Sequence, residues 1–403
     1  MNIRLYNDNL QSVIKKLSKI KSNLVIKASG SMDIVLTKRD INTSISERLS
    51  GEVYDSGSVN ISESTENLLK RLNDNMVIDD NKIICGSKTI SILNMGEAEH
   101  KEEVFQGEIA FSTTEKELSQ LLKVKFATAK DNTRPILTGI CFNGPDVVAL
   151  DGYRLAKRVG SYTNPYHFVL YIDTVEALYS ILDPKSFREV SVEYSKNKVR
   201  FSIGEDTTII GDLLEGEFIK YSSIISDEFT INVEMEAEDI KKEFKFIKGL
   251  MINRLTMDFT KDLLTLSMNY CEEELDKQAS DKRTQELTEE AQAVYKEDYK
   301  LWTLKKEKAA REKKVFKTKA PKEKNIRQAK VYYLVPISTI KSTVKCSMKG
   351  ADDFSIGFNP KYIEEALNNY EGKINFKMDS CVSPVVITQD NKNLDLVLPM
   401  RIN

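Results

Sequence analysis

Three times along the chain, a short alternating strand leads into an amphipathic helix. Few folds accommodate that repetition. The openings are Met1–Tyr6 with Asn9–Ile20, Gly107–Thr113 with Glu115–Lys130, and Phe229–Met235 with Ala237–Met251. In each strand apolar residues alternate: Ile3 with Leu5, Ile109 with Phe111, Ile231 with Val233. That period of two places one face on a core. Further strands lead to a second helix at Ser62–Leu72, Asp173–Leu182 and Asn359–Tyr370, with caps expected at Ser62, Asp173 and Asn359. An apolar strand closes each unit: Thr89–Met95, Thr208–Leu214 and Leu394–Ile402. The expected fold is α+β, with three tandem domains at 1–107, 108–228 and 229–403, each made of two β-α-β-β-β halves. A period this long is no solenoid. It predicts a curved assembly, with strands in one layer and helices on the other surface. Edge strands at the two chain ends would need pairing, which a second copy would supply.

Composition narrows the function classes. With 41% hydrophobic and 30% charged residues, the 403-residue chain reads as globular. Apolar runs stay well below the roughly 18 residues that cross a bilayer. The first residues lack the basic-then-apolar order of a signal peptide, so the expectation is cytoplasmic, with no membrane contact. The 5 cysteines are scattered without a C-x-x-C spacing, and the 2 histidines, His100 and His167, give metal or imidazole chemistry little to work with. No metal and no cofactor is expected. Gly211–Gly216 has phosphate-loop spacing, but Glu217 follows where lysine is required. Asp79-Asp80 and Asp352-Asp353 read as turn chemistry. The expectation is a non-catalytic protein.

Residues 272–330 interrupt the third repeat. From Glu272 to Asp298 there are ten acidic and four basic residues; from Lys300 to Lys330, thirteen basic and three acidic. A helical stripe runs through Leu287, Ala291, Val294, Tyr295, Tyr299 and Trp302, and the pattern fails at Lys317–Asn325. A solvated, partly helical arm, a docking element and a DNA-contacting basic arm all fit. Segregated charge would also let the arm fold back on itself.

Five further segments carry a family resemblance. They are Arg134-Pro135-Ile136-Leu137-Thr138-Gly139, then Val148-Ala149-Leu150-Asp151-Gly152-Tyr153-Arg154-Leu155-Ala156, then Leu214-Glu215-Gly216-Glu217-Phe218-Ile219-Lys220-Tyr221. Ile356-Gly357-Phe358-Asn359-Pro360-Lys361-Tyr362 and the terminal Leu398-Pro399-Met400-Arg401-Ile402-Asn403 follow. In this order they resemble the bacterial DNA sliding clamp, the beta subunit of DNA polymerase III. The likeness is good over 109–271 and 331–403. Over 1–108 it is one of layout: the first domain is short and divergent, with Ser22–Ser29 where the family has R-P-x-L-P-I-L-x-N. Tyr153 replaces the family's histidine, Leu150 its threonine and Ile219 its proline, and the insertion has no usual counterpart.

The resemblance implies three clamp domains in a ring, helices lining the inner face and strands outside. It implies a head-to-tail homodimer around double-stranded DNA, held without sequence preference. Inward helices would present Lys15, Lys16 and Lys19, then Lys123, Lys125, Lys130 and Arg134, then Lys241, Lys242, Lys245 and Lys248. Such a stripe focuses positive potential despite a net charge of −2. It further implies a pocket between domains 2 and 3 for short linear peptides of the replicative DNA polymerase and the clamp loader. Carried over by motif, the pocket comprises Leu137, Leu150, Gly152, Tyr153, Arg154, Leu155, Ile219, Ser223, Ile224, Leu396, Leu398, Pro399, Met400 and Arg401. The three replacements around it point to an altered peptide preference. Glu272–Glu274 would lie near the seam between subunits. The rival readings are a clamp-like paralogue that sequesters clamp-binding partners without encircling DNA, and a DNA-dependent hydrolase, which the absence of a catalytic motif disfavours.

Overall fold

The computed structural model describes residues 1–92, 105–226, 228–311, 318–390 and 392–401. The expected connector with His100, the end of the first closing strand and Asn403 lie outside them. The first repeat holds β1 (Asn2–Leu5), α1 (Asn7–Leu17), β2 (Leu24–Ser29), β3 (Asp33–Arg39), β4 (Thr43–Asp55), β5 (Gly57–Ile61), α2 (Glu63–Leu69), β6 (Met76–Asp79), β7 (Lys82–Cys85) and β8 (Lys88–Ser91). The second holds β9 (Glu108–Thr114), α3 (Glu115–Leu121), β10 (Ile140–Asn143), β11 (Asp146–Leu150), β12 (Arg154–Val159), β13 (His167–Leu170), α4 (Ile172–Ile181), β14 (Glu189–Ser195), β15 (Lys198–Ile203) and β16 (Thr207–Asp212). The third holds β17 (Ile231–Glu236), α5 (Ala237–Phe246), β18 (Ile252–Thr260), β19 (Leu263–Asp276), α6 (Lys277–Arg311), β20 (Val331–Lys349), β21 (Asp353–Phe358), α7 (Pro360–Leu367), β22 (Lys373–Met378), β23 (Val385–Thr388) and β24 (Leu394–Val397).

Every repeat builds two antiparallel sheets by one rule. The first strand joins the last three, giving β1-β6-β7-β8, β9-β14-β15-β16 and β17-β22-β23-β24. The middle four run β5-β2-β3-β4, β13-β10-β11-β12 and β21-β18-β19-β20. Sheets then continue from one repeat into the next. β4 pairs β16, with Ile45 opposite Ile209, and β12 pairs β24, with Leu155 opposite Leu396.

Within each repeat the two helices are tied in the same way. Gln11 Nε2 donates to the Leu69 carbonyl (3.0 Å), the Asp183 amide donates to Glu115 Oε2 (2.8 Å), and Lys241 Nζ donates to the Tyr370 carbonyl. The expected caps at Ser62 and Asn359 are present: their side chains accept from the Thr65 and Lys361 amides. Pro360 takes the first helical position, where a missing N–H costs nothing. Several expectations are corrected. Ile109 does not share the core face with Phe111: a bulge opposite Val192 and Glu193 inserts Ala110, which is buried while Ile109 is exposed. Helix α5 ends at Phe246 rather than Met251, with Gly249 in the left-handed region beyond it. The last strand stops at Val397, before Pro399, rather than running to Ile402. The helix sought over Glu115–Lys130 ends at Leu121 and tightens into a 3₁₀ segment over Leu122–Ala127, which Thr128 closes by turning to extended backbone with its hydroxyl donating to the Lys125 carbonyl (3.0 Å). Helix α4 starts one residue early, at Ile172, and Tyr171 rather than Asp173 precedes it.

The insertion is more ordered than its composition indicates. Strands β19 and β20 run on as a two-stranded ribbon, Cys271 opposite Pro336 through Asp276 opposite Val331. The ribbon carries the 35-residue α6 at its tip. Buried Ser280 fixes the base, donating to the Asp276 carbonyl and accepting from the Val331 amide (2.6 and 2.8 Å). The chain returns along the helix, with Ala329 N donating to Thr284 Oγ1 (2.9 Å) and Trp302 Nε1 to the Thr318 carbonyl (3.0 Å).

Candidate peptide groove and lysine-bearing face

Strand β11 is buried on both faces. Val147 and Ala149 face the core under the helices, whereas Val148 and Leu150 enter a separate cluster with Leu137, Leu155, Phe218, Tyr221, Val386 and Leu396. The loop after β16 covers this cluster through Phe218 and Tyr221. Tyr221 Oη donates to Asp146 Oδ2 (2.9 Å) and accepts from Asn143 (3.1 Å). The carboxylate and burial both push the Tyr221 phenol above its ordinary range.

The motif-derived pocket residues therefore divide. Leu137, Leu150, Leu155 and Leu396 lie in the interior as a floor. Tyr153, Ile224, Leu398 and Met400 stand at the surface, 61%, 39%, 36% and 40% exposed. Ser223 and Arg401 are also exposed, and Ile219 and Pro399 are half-buried. The terminal segment is pinned where the second and third repeats meet: Leu398 N donates to the Tyr153 carbonyl (2.8 Å) and Met400 N to the Gly357 carbonyl (2.7 Å). Gly152 takes φ +92°, a left-handed turn open only to glycine at low cost, and Asp151 Oδ1 accepts from the Tyr153 and Arg154 amides. The whole turn is preset.

Arg154 is buried and held on every side. Its Nε donates to Asp151 Oδ2 (2.9 Å), and its Nη1 pairs with Glu365. The guanidinium lies over the rings of Tyr362 (4.6 Å) and Phe126 (5.3 Å). It shapes the wall rather than offering a free cation. Tyr362 stacks at 6.0 Å on Tyr153, giving an aromatic step beside Met400. The sequence contained Tyr362 within I-G-F-N-P-K-Y, but nothing local placed it against a residue of the preceding domain.

The three lysine-bearing segments meet on the helical side. Lys19 and Lys125 line one cleft of about 440 Å³ with Asp173 and Glu176. Lys125 and Lys130 line another, and Lys125 Nζ sits 4.5 Å from the Tyr179 ring. Burial lowers the Lys123 pKa, and the neighbouring Arg158 and Lys241 charges act the same way. Lys15, Lys19, Lys130, Arg134, Lys245 and Lys248 are exposed. Lys16 pairs with buried Glu47 (3.2 Å) and Lys242 with Asp239 (2.8 Å), while Lys241 holds the Tyr370 carbonyl. These three are partly committed within the chain.

One pairing was invisible in the sequence. Cys141 Sγ lies 3.3 Å from His167 Nε2, which resembles a nucleophile with its base. Burial pushes this thiol up to about 12, the reverse of activation. Cys141 is a packing residue.

No family model matches the chain. The beta sliding clamp of Chlamydia pneumoniae is 25% identical over 261 residues, 59% of this chain and 69% of that protein. The beta sliding clamp of Rickettsia felis is 26% identical over 156 residues, 34% of this chain and 41% of that one. Among solved structures, the DNA polymerase sliding clamp of Bacillus subtilis superposes with a TM-score of 0.74 at 18% identity. The Bartonella birtlesii sliding clamp bound to griselimycin gives 0.75 at 16%. Both superpositions cover 100% of each chain.

Proposed function

We propose that this chain, whose curated homologues are beta sliding clamps and whose fold is theirs from end to end, closes head to tail with a second copy into a ring around duplex DNA. Its edges carry the reading. In both internal junctions the third strand of a middle sheet meets the last strand of the next repeat's outer sheet, and an apolar pair lies directly across. Ile45 and Ile209 are 0% exposed, Leu155 and Leu396 2%. The same rule leaves two strands over. Among the described residues these are β20, which has no neighbour beside Ser338–Ser342 on the side away from β19, and β8, which pairs only β7.

The repeat fixes their register. Met235–Cys346 corresponds to Leu5–Gly51, which maps Ile45 onto Ile340. The turn between Cys85 and Lys88 corresponds to that between Ile203 and Thr207, which maps Ile209 onto Ile90. Ile340 and Ile90 are half-buried, as an unfilled third junction requires. An uncovered edge strand is a liability that a second copy removes, and edges at opposite ends of a chain generate a closed ring.

Enclosure makes strong binding unnecessary. Exposed lysines on the helical side attract phosphates without reading bases, so the ring can slide. The protein is a non-catalytic accessory subunit; the groove between the second and third domains takes short peptides of polymerase and loader. A buried apolar floor suits leucine or phenylalanine anchors, and the Tyr153–Tyr362 step alters the preferred peptide. Met400→Ala is expected to weaken a polymerase-tail peptide about tenfold in a fluorescence-anisotropy titration, a typical loss for a rim anchor. Equal affinities would remove the groove assignment. Enclosure is tested by loading onto a nicked circular plasmid. The protein should co-elute with the circle and be lost on linearisation. Peptide binding without retention on either form would favour the sequestering paralogue.

A further inference from the structure

We propose that α6 is a self-association element, pairing antiparallel with the α6 of a second copy. The return segment covers one face of the helix and leaves another bare. Val294, Leu301 and Leu304 are 60%, 48% and 54% exposed. With Glu290, Glu297 and Lys308 they fall at spacings of four, three, four, three and four. This is the 3.5-residue repeat of a coiled-coil seam, and adjacent to the covered face rather than part of it.

Charge selects the orientation. Along the seam, Glu290 precedes the apolar residues, Glu297 lies between Val294 and Leu301, and Lys308 follows them. Parallel copies would set Glu290 against Glu290 and Lys308 against Lys308. Antiparallel copies in one register give Glu290 against Lys308, Val294 against Leu304 and Glu297 against Leu301, each layer occurring twice by symmetry. Glu297 then reaches Lys300 of the second copy. A segregated helix finds its complement in itself turned around, so no other partner is needed. The helix is about 50 Å long and starts at the tip of the ribbon.

The contact is independent of the strand-edge junction, so both can be read in one set of full-length variants by sedimentation velocity. Ile340→Asp, which opens the proposed ring, should leave arm-paired molecules of two chains. Adding Glu290→Lys sets lysine against Lys308 twice and should give one chain. Adding Lys308→Glu as well restores opposite charges in both copies and should return two chains. A single-chain Ile340→Asp protein would overturn the arm pairing. So would failure of the double charge exchange to restore it, which would mark a different partner. Failure of the ring shows separately: Glu290→Lys alone would already be one chain. The register is checked by thiol cross-linking with diamide. Val294→Cys with Leu304→Cys should link copies covalently, while either change alone, or the native protein with its exposed Cys381, should not. Equal linking by the single variants would exclude this register.

Discussion

Ile340→Asp in the Glu290→Lys background should halve the particle mass, from two chains to one, and abolish retention on circular DNA. In each internal junction the equivalent apolar pair is sealed from water. Burying one isoleucine contributes roughly 1.5–3 kcal/mol, and two identical junctions close a two-membered ring. Aspartate forfeits that burial and places a carboxylate opposite Ile90, at a further cost of several kcal/mol. The combined effect corresponds to a loss of affinity on the order of a thousandfold or more. Ile109→Asp is the control, because Ile109 is already 70% exposed on β9 and should leave the mass unchanged. A two-chain Ile340→Asp particle in this background would refute the edge assignment.

Asp395→Ala should lower thermal stability more than any surface change. Asp395 lies opposite Ala156 in the junction between the second and third repeats and is 1% exposed. It accepts a forked pair from Arg158, Nη1 to Oδ1 at 2.7 Å and Nη2 to Oδ2 at 2.9 Å. The same guanidinium also donates to the Leu394 carbonyl (3.0 Å) and lies 5.7 Å from the Tyr370 ring centroid. Removing one partner strands a buried cation, costing about 3–5 kcal/mol. Calorimetry should register a drop of about 5 °C. Replacing both residues by leucine should recover most of it, because the cost lies in the uncompensated charge. A drop under about 1 kcal/mol for Asp395→Ala would show that the pair is not what fastens this junction.

Individual elements show where legibility ends. The alternation at Ile3/Leu5 and Ile231/Val233, and the caps Ser62 and Asn359, are properties of neighbours in sequence; that at Ile109/Phe111 failed, because the bulge against β14 buries Ala110 instead of Ile109. That Leu137, Leu150, Leu155 and Leu396 gather in one buried cluster was legible because they belong to short motifs. Arg154 enters the sequence reading through its motif alone; its partner Glu365, over 200 residues away, comes only with the fold. The insertion read as partly helical because its charges hide a stripe that the return segment covers only in part: Leu287, Ala291, Tyr295 and Trp302 are half-buried, while Val294 and Tyr299 stay exposed.

By itself, the sequence determined three repeats, their strand and helix order and the apolar side of elements without a bulge, since periodicity and capping act over a few residues. Only the tertiary structure decided which strand edges remain open, which lysines are committed to Glu47, Asp239 or the Tyr370 carbonyl, and which helix face of the arm stays bare. Those outcomes depend on partners distant along the chain. Whether a charge is free or an edge is filled is a property of the assembled surface.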